Sequence, residues 1–142
     1  MLNFRILVLP ILCLIFFVPC CLLGFCFEEG GELYRISPLL LRAIAEVESG
    51  FNPHAINWNS GSYDYGLMQI NSSWASVIGL SNWLRLGDPC FNVKMGAWVL
   101  SQCIERYGYT WEAVGCYNAR SPEKRLIYIH RVYKKLLELG WR

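Results

Sequence analysis

Residues 6–23, ILVLPILCLIFFVPCCLL, follow Arg5 and carry no charge. A basic residue ahead of an apolar run of this length reads as the start and hydrophobic core of an export signal ending near Gly24. Residues 1–24 are therefore expected to be a signal peptide, with residues 25–142 as the folding unit. Taking 24 from 142 leaves 118 residues, enough for one compact domain and too few for two. The same run sits at the lower length limit for a membrane span, so the alternative is an anchor formed by residues 6–23. Pro10 and Pro19 interrupt it and no Lys or Arg follows before Arg35, which favours cleavage.

Export constrains the cysteines. Of seven, Cys13, Cys20 and Cys21 fall in the signal, leaving Cys26, Cys90, Cys103 and Cys116. An even number in a small exported domain reads first as disulfides. Metal binding is the alternative, but no Cys-x-x-Cys occurs and His54 and His130 are the only histidines, so no metal is expected. The chain is 54% hydrophobic, partly because of the signal, and the remainder holds 12 Lys or Arg against 11 Asp or Glu, a net charge of about +1. That balance excludes a strongly basic nucleic-acid binder. The charge is uneven, with a net +5 over residues 120–142 and −4 over 25–119. Either the basic end steers the protein to anionic material, or Arg131, Lys134 and Lys135 form the water-facing side of a final helix.

The exported part reads as mostly helical. Ser37 and Pro38 offer an N-cap and first turn, and Gly50 a stop, for a helix over 38–49. Residues 92–107 repeat apolar side chains at Val93, Ala97, Leu100, Ile104 and Tyr107 before Gly108, which is helical spacing. Thr110 caps a short helix through about Tyr117, and Ser121 with Pro122 opens a last one running to Gly140. Residues 55–71, rich in Asn, Ser, Gly and Tyr, suit short strands and turns.

The helix at 38–49 carries two glutamates in unlike settings. Leu41, Ile44, Ala45 and Glu48 recur at i, i+3, i+4 and i+7, so Glu48 falls on the apolar face. Glu46 stands four residues after Arg42, where an exposed ion pair is expected. Burial without a cationic partner raises a carboxyl pKa, and moving it from about 4.3 to about 6 represents roughly 2 kcal/mol. A proton held near neutral pH suits general-acid chemistry. The competing reading is that Glu48 caps backbone or pairs with an arginine.

The runs AIAEVESGFNPHAIN (43–57), SYDYGLMQINSSW (62–74), DPCFNVKMGAWVL (88–100) and YGYTWEAVGCYNA (107–119), in this order, resemble the soluble lytic transglycosylase superfamily. They are most similar to the small specialised transglycosylases of secretion, conjugation and type IV pilus machines. The resemblance implies a mainly α (α+β) lysozyme-like single domain with a small β-hairpin region. It makes Glu48 the catalytic acid and then base cleaving the MurNAc–GlcNAc bond of peptidoglycan, with Ser49 supporting that carboxyl or the substrate. Gly66, Leu67, Met68, Gln69, Ile70 and Asn71 match the stretch that lines the saccharide cleft. Tyr117 and Asn118 match a tyrosine–asparagine pair whose tyrosine lies near the glutamate.

Two features depart from that pattern. Asp64, sixteen residues after Glu48, stands where animal-type lysozymes carry a second carboxylate; it is either a turn residue or a stabiliser of positive charge on the sugar. Beyond the family-like pair Cys26 and Cys90, Cys103 and Cys116 could bridge if their helices meet. The implied activity is a monomeric periplasmic lytic transglycosylase of a Gram-negative bacterium, acting without cofactor on peptidoglycan glycan strands. Machinery proteins of secretion, conjugation or pilus systems are its expected partners, and retention of residues 6–23 would anchor it to the inner membrane. The alternatives are a lysozyme-type hydrolase and a noncatalytic glycan-binding assembly protein.

Overall fold

The computed structural model describes residues 24–142, so the segment read as an export signal lies, except for Gly24, outside the described residues. Among the described residues no helix is long and apolar enough to cross a membrane. The long helices are α1 (Phe27–Tyr34), α2 (Pro38–Ser49), α5 (Pro89–Tyr107), α6 (Trp111–Asn118) and α7 (Pro122–Glu138). Between α2 and α5 lie β1 (Ile56–Asn59), β2 (Ser62–Tyr65) and β3 (Ile70–Asn71), a 3-10 turn over Ser72–Trp74, and the short helices α3 (Ala75–Ile78) and α4 (Leu80–Leu84). The architecture is the mainly α, lysozyme-like one expected, with the hairpin extended to three antiparallel strands in the order β1-β2-β3.

Helix α2 forms over the expected residues. Gly50 closes it in the left-handed conformation at φ 60°. Ser37 sits at its N-cap without a side-chain capping bond; its N–H instead donates to the Tyr109 hydroxyl at 3.1 Å. Leu41, Ala43, Ile44 and Ala45 are fully buried. Two boundaries move. Helix α5 begins at Pro89, three residues before the apolar repeat, because Asp88 caps it by accepting from the Phe91 N–H at 2.7 Å. Helix α7 stops at Glu138, short of Gly140.

Helix α1 is the element without a sequence signal. FEEGGELY contains paired glycines, poor helix formers in isolation, yet both serve close packing. A Cβ on Gly31 would stand 2.5 Å from the Ile36 carbonyl, and one on Gly30 would stand 3.1 Å from Val93. The ion pairs are also rearranged. Arg42 bridges to Glu28 of α1 at 3.0 Å, while Glu46 bridges to Lys135 of α7 at 2.9 Å. The expected Arg42–Glu46 pair is thus replaced by contacts between helices.

The core joins α2, α5 and α7 around Leu41, Ile44, Val93, Ala97, Leu100 and Val132, each with no exposed surface. Two disulfides staple its ends. Cys26–Cys90 joins the start of α1 to α5, and Cys103–Cys116 joins α5 to α6, with Cα separations of 5.0 and 5.9 Å.

Candidate active site

Glu48 emerges at the end of α2 into a cleft of about 620 Å³. The opposite wall is the sheet. Its register pairs Asn57 with Asp64, Asn59 with Ser62, and Asp64 with Asn71, so these polar residues share one face. Trp58 and Tyr63 occupy the other face, with ring centroids 5.0 Å apart. Trp74, Tyr117 and Asn118 complete the walls near the acid.

Glu48 is held from α7. The Tyr128 hydroxyl donates to Glu48 Oε1 at 2.6 Å, and Arg131 donates to the Val47 carbonyl at 3.1 Å, tying α7 to the end of α2. Burial is the main influence on the carboxyl and raises its pKa. The Tyr128 hydrogen bond lowers it, the Asp64 charge raises it and the Arg131 charge lowers it, for a result pushed up from 4.5 to about 7. Burial pushes the hydroxyls of Tyr117 and Tyr128 well above the usual tyrosine range, so both remain neutral donors.

Asp64 faces the same cleft in another environment. Its Oδ2 accepts from Asn59 Nδ2 at 2.7 Å and its Oδ1 from Asn71 Nδ2 at 2.8 Å. Donors on both oxygens fix the orientation of this side chain. Asn71 is also the N-cap of the following 3-10 turn, its Oδ1 accepting from the Ser73 N–H at 3.0 Å. The sheet therefore presents an anchored Asp64 opposite Glu48, whose pKa is raised.

The remaining residues expected to bind sugar divide into wall and scaffold. Gln69 lines the cleft, but its Nε2 donates to the Gly66 and Ala55 carbonyls at 2.7 and 3.1 Å, and its Oε1 accepts from Asn57 at 2.6 Å. That bracing holds its backbone in the left-handed region at φ 50°. Met68 is fully buried, and its carbonyl accepts from the Tyr117 hydroxyl at 2.7 Å. Ser49 donates to the Leu67 carbonyl at 2.7 Å, fixing the cleft strand to α2 without lining the cleft.

Gly66 lies behind the wall at φ 82°, and a Cβ there would fall 2.2 Å from the Asn92 side-chain nitrogen. That amide accepts from the Met68 N–H at 2.8 Å and donates to the carbonyls of Leu86 and Tyr65 at 3.1 and 3.2 Å. Asn92 thus carries the turn at 65–68 on α5. Asn92 and Tyr128 hold the site without standing among the residues that the sequence assigns to it. An asparagine at the head of a helical apolar repeat is the sequence signal for the first, and the structure buries it. Tyr128, aligned with Val132 and Leu136 on the buried face of α7, reads as core.

The chain matches the family model described as "Transglycosylase SLT domain" over residues 25–126. It belongs to this family. The chain is accordingly an enzyme of the peptidoglycan lytic transglycosylase class. Protein IpgF of Shigella flexneri is 44% identical over 123 residues, covering 81% of each chain. Invasion protein IagB of Salmonella typhimurium is 44% identical over 117 residues, covering 80% of this chain and 73% of that one. X polypeptide of Escherichia coli is 38% identical over 133 residues, covering 87% and 79%. An inactive mutant of lytic transglycosylase Slt from Pseudomonas aeruginosa shares the fold at a TM-score of 0.65 and 22% identity, over 81% of this chain and 23% of that one. In this SLT transglycosylase the matched segment stops two residues before Tyr128, so the hydroxyl that holds Glu48 comes from outside it.

Proposed function

We propose that this transglycosylase cleaves the β-1,4 bond between MurNAc and GlcNAc and leaves 1,6-anhydroMurNAc ends. The reading rests on Glu48, a carboxyl whose pKa is pushed up to about 7 at the wall of a glycan-sized cleft. A neutral acid there gives its proton to the glycosidic oxygen as the bond from C1 breaks and the muramic ring becomes oxocarbenium-like. The ring's own C6 hydroxyl then attacks C1, forming the new C1–O6 bond, and its proton passes to the Glu48 carboxylate. The acid is restored without water entering the reaction. Intramolecular attack gains from proximity and needs one residue to give and take a proton. Asp64, anchored between Asn59 and Asn71, stabilises positive charge on the ring.

The site of action is the periplasm of a Gram-negative bacterium after loss of residues 1–24. There the enzyme opens the wall locally for a secretion, conjugation or pilus machine. Resemblance to specialised transglycosylases and the relative named as an invasion protein support that role. Asp64 also favours one second reading, a lysozyme-type hydrolase in which it assists attack by water. Mass spectrometry of muropeptides released from purified sacculi separates the two. Anhydro products, lighter by one water, are expected from the wild type and from a slower Asp64→Asn variant. Predominantly reducing ends from the wild type would make the enzyme a hydrolase.

A further inference from the structure

One end of the cleft carries charge that a sugar backbone does not require. Arg120 and Lys124 line it beyond Asn118, both are exposed, and neither has a carboxylate partner among the described residues. A second groove of about 250 Å³ branches from the same wall, sharing Trp74, Val99, Tyr117, Ala119 and Arg120 with the cleft. It adds Arg106 and Arg125 and no acidic residue. Arg125 is committed to Glu112, to the Tyr107 hydroxyl at 3.1 Å and to the Ala119 carbonyl at 2.9 Å. Arg106, like Arg120, has no carboxylate partner among the described residues.

We propose that Arg106 and Arg120, in the groove that branches from the cleft beside Tyr117, together with Lys124 on the adjoining cleft wall, bind the carboxylates of the peptide stem carried by the glycan strand. The proposal rests on the transglycosylase reading and extends it from the sugar to the peptide. In a stem-bearing strand the sugars are uncharged, because the lactyl carboxyl of each muramic residue is taken up in an amide to the peptide. The anions of that substrate are therefore on the stem. A stem leaves the muramic ring as a side branch of the strand, and the second groove meets the cleft at Trp74 and Tyr117, which line both. Guanidinium groups suit the receiving end, since their planar donors match a carboxylate with two parallel hydrogen bonds. Glu48 and Asp64, set against Arg120 and Lys124 in the same cleft, also give it a polarity that fixes which way a stem-bearing strand lies.

Binding, measured apart from cleavage, tests the assignment. In the Glu48→Gln background, dissociation constants are determined by calorimetry for stem-bearing strands, for the same strands stripped by an amidase, and for neutral chitohexaose. Stem-bearing strands are expected to bind about tenfold more tightly than chitohexaose, with stripped strands, which keep only the lactyl carboxylate, in between. Adding Arg106→Gln and Arg120→Gln should bring all three within about twofold, and raising salt should do the same to the parent. A preference that survives both arginine substitutions in a protein with an unchanged melting curve overturns the proposal, as does a parent without preference. Failure of the transglycosylase reading would show separately, as a wild type that releases no anhydro ends.

Discussion

Replacing Tyr128 with Phe removes one oxygen, and the consequence can be worked from the contacts of Glu48. The lost hydroxyl donates to Glu48 Oε1 at 2.6 Å. A hydrogen bond to a charged acceptor contributes about 1.5–3 kcal/mol, and one to a neutral acceptor about 0.5–1.5. The difference, about 1–1.5 kcal/mol, is what the hydroxyl gives to the charged form, and at 1.36 kcal/mol per unit it corresponds to about one pKa unit. Without it, burial and the Asp64 charge are opposed only by Arg131, so the pKa rises above its present value of about 7. The alkaline limb of the pH profile for kcat/KM should move up by about one unit. Activity below that limb should fall about tenfold, since the carboxyl loses the contact that orients it. Turbidity clearance of peptidoglycan across the pH range, for wild type and Tyr128→Phe with matched melting curves, reads both quantities. A limb that stays in place or moves down in a folded variant would refute this account of how the acid is tuned.

Glu48→Gln should abolish cleavage and leave a pH-dependent mark on stability. The unfolded carboxyl ionises near 4.5 and the folded one near 7, so the wild type is penalised increasingly as pH climbs between those values, by up to about 3 kcal/mol above them. Denaturant titrations should show the variant gaining stability at pH 8 and gaining nothing below pH 4; a gain independent of pH would contradict the linkage. Gly66→Ala forces a side chain into the left-handed region and onto the Asn92 amide at 2.2 Å, with an expected loss of about 3 kcal/mol or more in urea titrations. Removing Cys26–Cys90 opens a 64-residue separation and removing Cys103–Cys116 one of 13. Chain entropy gives losses of about 4 and about 3 kcal/mol, so double-serine variants should melt in that order.

Legibility in the sequence followed the range of the interaction. Glu48 stood out because its helix repeats apolar residues with a period that a carboxylate interrupts, which is local information. Cap chemistry likewise gave the end of α2 at Gly50 and the start of α6 at Thr110, whose Oγ1 accepts from the Ala113 N–H. What escaped was set by distant partners. Arg42 and Glu46 have ideal spacing for each other, yet facing helices supply both with other partners. Helix α1 persists because its two glycines admit Ile36 and Val93, a reason invisible in FEEGGELY itself. Helices α3 and α4 leave Val77, Leu80 and Leu84 exposed, so they lack the one-sided pattern by which a helix is recognised. Met68, in a stretch whose family role is to line the cleft, is buried together with Leu67, and only Gln69, Ile70 and Asn71 of that stretch reach the cleft, a division set by packing against the helices.

The grip of Tyr128 on Glu48 spans 80 positions of sequence, and that of Arg131 on Val47 spans 84. Glu48 stands on α2 and its holder on α7, so a growing chain cannot tether this carboxyl until α7 has been made and docked. A chain clipped before residue 128 would keep Glu48, Asp64 and Tyr117 and still leave the acid untethered. For an enzyme of the lytic transglycosylase class, this order of assembly is a safeguard: Glu48 gains its tether only when α7 is docked.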